Sequence, residues 1–369
     1  MAFSLPDISD NITRLIPYTP GKPVEEVERE LGLTNILKLA SNENSLGPSP
    51  LAIKAVQKLA ATMHIYPDAE THKLKLAVAA HLDVLPENLV FGNGSDDIIH
   101  LLGVTLLGPC DEVIQADPSF VRYEAAAILN NAVCHMVPLT PDYRHDLDAM
   151  AARINTRTRL IFITNPNNPT STIVDKEELA RFLDRVPPHV VVVMDEAYYE
   201  YARFAPQYPE TLPYVREGRN VVVLRTFSKA YGLAGHRIGY GVMRSEIAGW
   251  LNRTREPFNV NTMAQAAAIA ALEDHEHIAR TLAMNEQGKR DMIAAFTELG
   301  LPYTPSYANF MWVDTQKDAK SVNQALLRKG IIIRVSDSFR APTHLRVTIG
   351  TPEENKRFLD ALREALPTL

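Results

Sequence analysis

The chain has 369 residues, 46% of them hydrophobic and 22% charged, and a formal net charge of −6. That length is long for a single core and predicts two domains. The composition is that of a soluble globular protein, and the negative balance gives no electrostatic footing for nucleic acid or an anionic membrane. The longest apolar runs, such as Val190 to Met194, are strand-sized, well short of the roughly 18 residues a membrane helix needs. The first ten residues, MAFSLPDISD, lack the basic start and apolar block of a secretory signal. Two cysteines, Cys110 and Cys134, are too few for a disulfide framework. A reducing, cytoplasmic setting is expected, with both cysteines as small core residues.

In chain order, the opening 40 residues read as an irregular arm punctuated by Pro17, Pro20 and Pro23. Helical periodicity starts at Ser49-Pro50 and runs to Thr62, and a second helix is predicted from Glu70 to His81. From Leu89 to Val242 strands alternate with helices. Predicted strands are Leu89 to Phe91, Glu112 to Gln115, Leu160 to Thr164, Val190 to Met194 and Val221 to Arg225. Predicted helices follow Gly92–Asp96 up to Leu107, and span Tyr123 to Asn130 and Asp175 to Asp184. This alternation predicts an α/β domain with a mainly parallel sheet. Met263 to Leu299 is helical and free of proline, a long connection to a second domain. That domain begins near Leu301, with strands Phe310 to Val313, Ile331 to Val335 and Leu345 to Ile349, and helices ending at Leu366.

Ligands of open α/β sheets sit at the carboxyl ends of the strands, and the polar motifs fall there. Gly94-Ser95-Asp96 joins a strand to a helix. Amides at a helix N-terminus bind phosphate, and glycine lets it come close, though the tripeptide alone reads first as a plain tight turn. Asn165-Pro166-Asn167-Asn168-Pro169-Thr170 ends another strand and is either a rigid turn or a holder of an amide side chain. Asp195 closes a buried parallel strand, where a carboxylate needs a partner; a helix cap is the alternative. Tyr198 lies three residues on. Thr226-Phe227-Ser228-Lys229 follows a further strand, with Arg237 eight residues after the lysine. A lysine between hydroxyls and a nearby arginine suits a Schiff base with an aldehyde cofactor whose phosphate the neighbours hold.

Together these motifs resemble the fold-type I, pyridoxal-phosphate-dependent aminotransferases of class I and II over essentially the whole chain. Within that group the histidinol-phosphate aminotransferase family is the best match. The segments that carry the likeness are LASNENSLGP (39–48), YTPGKP (18–23), FNVN (258–261) and LRVTIGT (345–351). The resemblance implies an α/β fold: a large domain whose mainly parallel seven-stranded sheet is sandwiched by helices, plus a smaller α+β domain. It implies an arm and part of the small domain in 1–40, the large cofactor domain in 41–265, a connecting helix in 266–300 and the small domain in 301–369.

It also implies roles. Lys229 would bond the cofactor's aldehyde and then shuttle the proton. Asp195 would pair with the pyridine nitrogen, and Asn168 and Tyr198 with the phenolic oxygen. Gly94, Ser95, Asp96, Thr226, Ser228 and Arg237 would surround the phosphate, with Phe120 stacked on the ring. Tyr66 would reach the cofactor of a second subunit, so a homodimer is implied. Arg346 would bind a substrate carboxylate, and Arg334, Tyr18 and Asn42 would complete the substrate site, without a metal. The reaction implied is transfer of an amino group between histidinol phosphate and 2-oxoglutarate. An aromatic or other amino-acid aminotransferase and a phosphothreonine decarboxylase are the alternatives on the same motifs. Four positions depart from the family pattern: Asp97, Ser171, His236 and Glu256. His236 and Glu256 bear on the substrate, because an added carboxylate near the site would repel a phosphate dianion.

Overall fold

The computed structural model describes residues 7–17, 21–335 and 339–369. The described residues form two sheets. The smaller takes its first strand, β1 (Leu37–Leu39), from the N-terminal region. The larger holds β2 (Leu89–Gly92), β3 (Glu112–Asp117), β4 (Val133–Pro138), β5 (Thr158–Thr164), β6 (Val191–Asp195), β7 (Val221–Thr226) and β8 (Gly239–Val242). Its order is β2-β8-β7-β6-β5-β3-β4, and only β8 runs antiparallel to its neighbours. Central strands are apolar throughout because both faces are covered. Val192 and Met194 enter one core with Val223 and Ile161, while Val191 and Val193 enter the opposite core with Val222 and Phe162.

Expected strands and helices appear at their places, with differences that have local causes. The arm is not irregular throughout: it holds short helices at Asp10–Thr13 and Val24–Leu31 besides β1. Edge strand β4, partly polar and half-exposed, was not expected from its sequence. Nor was β8, where two glycines in four residues read as loop. A Cβ on Gly239 would lie 2.3 Å from the Ser95 amide nitrogen, so the strand needs glycine to pass the helix that starts there. The helix Ser245–Thr254 also escaped the sequence reading. The long helical run is two helices, Thr262–Glu273 and His275–Glu298, broken at Asp274. Asp274 caps the second helix through the His277 amide and accepts from the Ser49 hydroxyl at 2.5 Å. Cys110 is exposed and Cys134 half-buried, not core residues.

The smaller sheet is β1-β10-β11-β9, with β9 at Phe310–Asp314, β10 at Ile331–Val335 and β11 at His344–Thr348. Helices His275–Glu298, Ala319–Arg328 and Pro352–Ala365 pack on it through Met292, Phe296, Val322, Leu326, Phe358 and Leu362. Arg334 on β10 stands directly opposite Arg346 on β11, so the two cationic side chains share a face. Thus β1 joins the C-terminal strands in one sheet, which meets the large sheet at the carboxyl ends of its strands, whereas Asn11 of the first helix donates to the Leu129 carbonyl beside the larger sheet. No helix among the described residues is long and apolar enough to cross a membrane.

Candidate active site

A cavity of about 420 Å³ lies between the carboxyl ends of the large sheet and the β10–β11 pair. It gathers Gly94, Ser95 and Asp96 after β2, Phe120 after β3, Asn168 after β5, Asp195 and Tyr198 at and after β6, and Thr226, Ser228, Lys229 and Arg237 around β7. Asn42, Arg334 and Arg346 close it from the other side. Two expected residues are not among these. Tyr66 is 79% exposed and stacks on Phe258, with ring centroids 4.7 Å apart, outside the cavity of its own chain. Tyr18 lies outside the described residues.

One end of the cavity is built for an anion. The helix Ser95–Leu106 starts after Gly94, whose φ of 84° suits glycine. Its first amides are free of intrahelical partners by construction. A Cβ at Gly94 would come within 2.6 Å of Arg237 Nη2, so the missing side chain lets the guanidinium lie against the turn. Asp97 Oδ2 accepts from the Asn93 amide at 2.9 Å and from Asn259 Nδ2 at 3.1 Å, fixing the turn from behind. Here the departure from glutamate is absorbed. Ser228 and Thr226 add hydroxyls 3.0 Å apart. Asp96, expected near the same anion, is paired with Arg122 Nε at 2.7 Å. That pairing offsets a carboxylate that would otherwise repel the anion.

Asp195 lies at the centre. It is 3% exposed, accepts from Tyr123 Oη at 2.7 Å and from the Ala197 amide at 3.2 Å, and among the described residues has no cation bonded to it. Burial pushes its pKa up to about 6, against the lowering effect of the Tyr123 bond. A protonated pyridine nitrogen would supply the positive charge this carboxylate calls for.

Lys229 Nζ lies 3.2 Å from the Ser41 carbonyl and 5.9 Å from the Tyr198 ring centroid. Burial, then the nearby Arg346 charge, brings its pKa down to about 8. A larger share of neutral amine, the form that attacks an aldehyde, is therefore present near neutrality. Tyr198 Oη accepts from Asn42 Nδ2 at 2.9 Å, which turns its own hydrogen elsewhere. Asn168 Oδ1 accepts from Arg346 Nη1 at 2.7 Å, so its NH₂ group is the part left to donate to a ligand. Arg346 Nη2 also donates to the Ala40 carbonyl at 2.6 Å. The donor set fits pyridoxal phosphate on all four of its demands: amine, carboxylate, two donors for a phenolic oxygen, and an anion cradle.

The remaining departures are settled by position. Ser171, at φ 60°, donates to the Thr170 carbonyl at 2.6 Å, so serine adopts a backbone that favours glycine with a local bond to hold it. His236 and Glu256 do not line the cavity, and Glu256 is exposed. Glu256 therefore adds no charge to the wall of its own chain's cavity. Sequence reasoning missed Tyr123 and Arg122. Both sit within an ordinary-looking helix, and only the distance to Asp195 or Asp96 marks them.

The family model described as aminotransferase class I and II matches residues 34–362. Histidinol-phosphate aminotransferase of Moorella thermoacetica is 52% identical over 364 residues, covering 98% of this chain and 94% of that protein. Histidinol-phosphate aminotransferase 2 of Carboxydothermus hydrogenoformans is 46% identical over 97% of this chain and 99% of its own length. Among solved structures, histidinol-phosphate aminotransferase from Sinorhizobium meliloti, in complex with pyridoxal-5′-phosphate, superposes with a TM-score of 0.91 at 28% identity, covering 100% of this chain and 99% of that one.

Proposed function

The chain belongs to the class I and II aminotransferase family, alongside the histidinol-phosphate aminotransferases, and on that premise we propose that it exchanges an amino group between histidinol phosphate and 2-oxoglutarate in histidine biosynthesis. Pyridoxal 5′-phosphate is the cofactor; when bound it supplies an aldehyde for the amine and a ring that accepts the electrons of the substrate's α-carbon. The chain's own residues do the rest. Lys229 Nζ would hold the cofactor through its aldehyde and, as a free amine, would be the base that moves the proton of the substrate's α-carbon. Asp195 keeps a negative charge against the ring nitrogen. Tyr198 and the amide of Asn168 donate to the phenolic oxygen, and Phe120 covers the ring. The amides at Ser95, with Ser228, Thr226 and Arg237, hold the phosphate.

The observation that carries the choice of substrate is the pairing of Arg334 with Arg346 across β10 and β11 on the cavity wall that faces Lys229. Glutamate and histidinol phosphate share an amino group but differ in their anions. A pair of guanidinium groups suits a carboxylate in one half-reaction and a phosphate in the other. We expect Arg334→Ala to raise the KM for histidinol phosphate about 10- to 100-fold, the loss of one charge-assisted contact, and to change that for phenylalanine little. Equal losses in steady-state assays of the two donors would remove Arg334 from phosphate recognition.

This reading includes a cytoplasmic homodimer in which Tyr66 completes the site of the partner subunit. Its support is the exposed Tyr66–Phe258 stack, set apart from the chain's own cavity. It also divides the chain into an arm and part of the small domain in 1–40, a large cofactor domain in 41–265, a connecting helix in 266–300 and the small domain in 301–369.

A further inference from the structure

We propose that Tyr123 is a positioning residue for the reaction, the last member of a buried hydrogen-bond relay from Ser119 that holds Asp195 charged against the cofactor's ring nitrogen. The inference rests on the cofactor reading above and concerns residues that never touch the cofactor. From Asp195 outward the links are short. Tyr123 Oη lies 2.7 Å from Asp195 Oδ2 and 2.8 Å from Thr164 Oγ1. Thr164 Oγ1 lies 3.0 Å from Ser119 Oγ, and Ser119 Oγ lies 3.0 Å from Asn167 Oδ1. Asn167 Oδ1 in turn lies 3.3 Å from His145 Nε2. All five residues beyond Asp195 are buried. They come from three separate segments, with Ser119 and Tyr123 after β3, His145 after β4, and Thr164 and Asn167 at and after the end of β5, which no local rule would bring into line.

The proton inventory gives the relay a direction. The Tyr123 hydroxyl has one hydrogen, and the carboxylate takes it, so Thr164 must donate to Tyr123. The Ser119 hydrogen then has two claimants, Thr164 Oγ1 and Asn167 Oδ1. Thr164's own hydrogen is committed to Tyr123, so the Ser119–Thr164 link requires Ser119 to donate inward, and Asn167 Oδ1, which can only accept, passes no hydrogen on from His145. Every hydrogen from Ser119 inward then points toward Asp195, and such chains polarise in one direction. Tyr123 itself is locked by stacking on Phe162, 4.3 Å between centroids at 9°. Without this donor, burial alone would drive Asp195 further toward its neutral form, which cannot hold a ring nitrogen in its protonated state.

The test uses holoenzyme loaded with pyridoxal phosphate carrying ¹⁵N in the ring, read by NMR. Uptake by the wild type, scored first, separates failure of the cofactor reading from failure of the relay. Tyr123→Phe keeps the stacked ring and removes only the oxygen. Its ring-nitrogen resonance is expected to move toward the unprotonated position, with the Kd for pyridoxal phosphate weakened on the order of 10-fold. Ser119→Ala, two links from Asp195, is expected to move the resonance the same way by less. An unchanged resonance in Tyr123→Phe would overturn the proposal. So would a shift in Tyr123→Phe with none in Ser119→Ala, because the relay would then not act as a unit.

Discussion

Asp195 ties the chemistry of the site to the stability of the protein. Its pKa in the fold is near 6, against 3.8 when unperturbed, and burial is the main cause. A carboxyl whose pKa is raised by folding binds its proton more tightly in the folded state. The sign follows: in the cofactor-free protein this carboxyl's contribution to stability is lost as pH rises from about 4 through about 6, and above that its full penalty applies. Two units correspond to roughly 3 kcal/mol. We therefore expect cofactor-free Asp195→Asn to melt above cofactor-free wild type at pH 8, with the gap closing toward pH 4, while its affinity for pyridoxal phosphate falls. Melting curves that keep the same order and spacing at both pH values would contradict the assignment. Asp195 was legible in the sequence because a carboxylate at the end of an apolar run has few places to go. Tyr123 was not. A tyrosine inside a helical pattern reads as packing until its oxygen is found 2.7 Å from the carboxylate.

At the level of elements, the site depends on backbones that approach each other closely. Gly239 lets β8 run past the helix that begins at Ser95; its Cβ would meet the Ser95 nitrogen at 2.3 Å and the Gly94 carbonyl carbon at 2.7 Å. Gly239→Ala is expected to destabilise the fold by about 1–3 kcal/mol and to weaken phosphate holding by moving the helix terminus. Gly249→Ala is the control, since nothing lies within 4 Å of its Cβ. There, alanine in a helix should be neutral or stabilising by up to about 1 kcal/mol. Urea unfolding of both variants, with a cofactor titration, decides; equal stabilities would show that the close approach carries no weight. The same geometry explains what was legible. Strands buried on both faces, such as β5, β6 and β7, announce themselves as apolar runs. Strand β8 hides because its glycines answer to a neighbour distant in sequence, and β4 hides because an edge strand can be polar. The break at Asp274 depends on Ser49, more than 200 positions away.

On the scale of the whole molecule, the cavity of one chain gathers the expected site residues other than Tyr18, which lies outside the described residues, and Tyr66, whose side chain lies outside the cavity. If Tyr66 serves the partner, two damaged chains can share one intact site. Tyr66→Ala and Lys229→Ala are each expected to be weakly active or inactive alone. Mixed and re-associated, a heterodimer would carry one site with both defects and one with neither, so activity should reappear. No recovery on mixing would place Tyr66 outside the reaction. The central claim, that Lys229 runs an amino transfer from histidinol phosphate, is tested most directly by a half-reaction. Holoenzyme mixed with histidinol phosphate alone, without an acceptor, is followed by its visible absorbance. The band is predicted to disappear as the amino group moves to the cofactor and to return on adding 2-oxoglutarate, with no carbon dioxide released. A band unmoved by histidinol phosphate but bleached by phenylalanine would contradict the account.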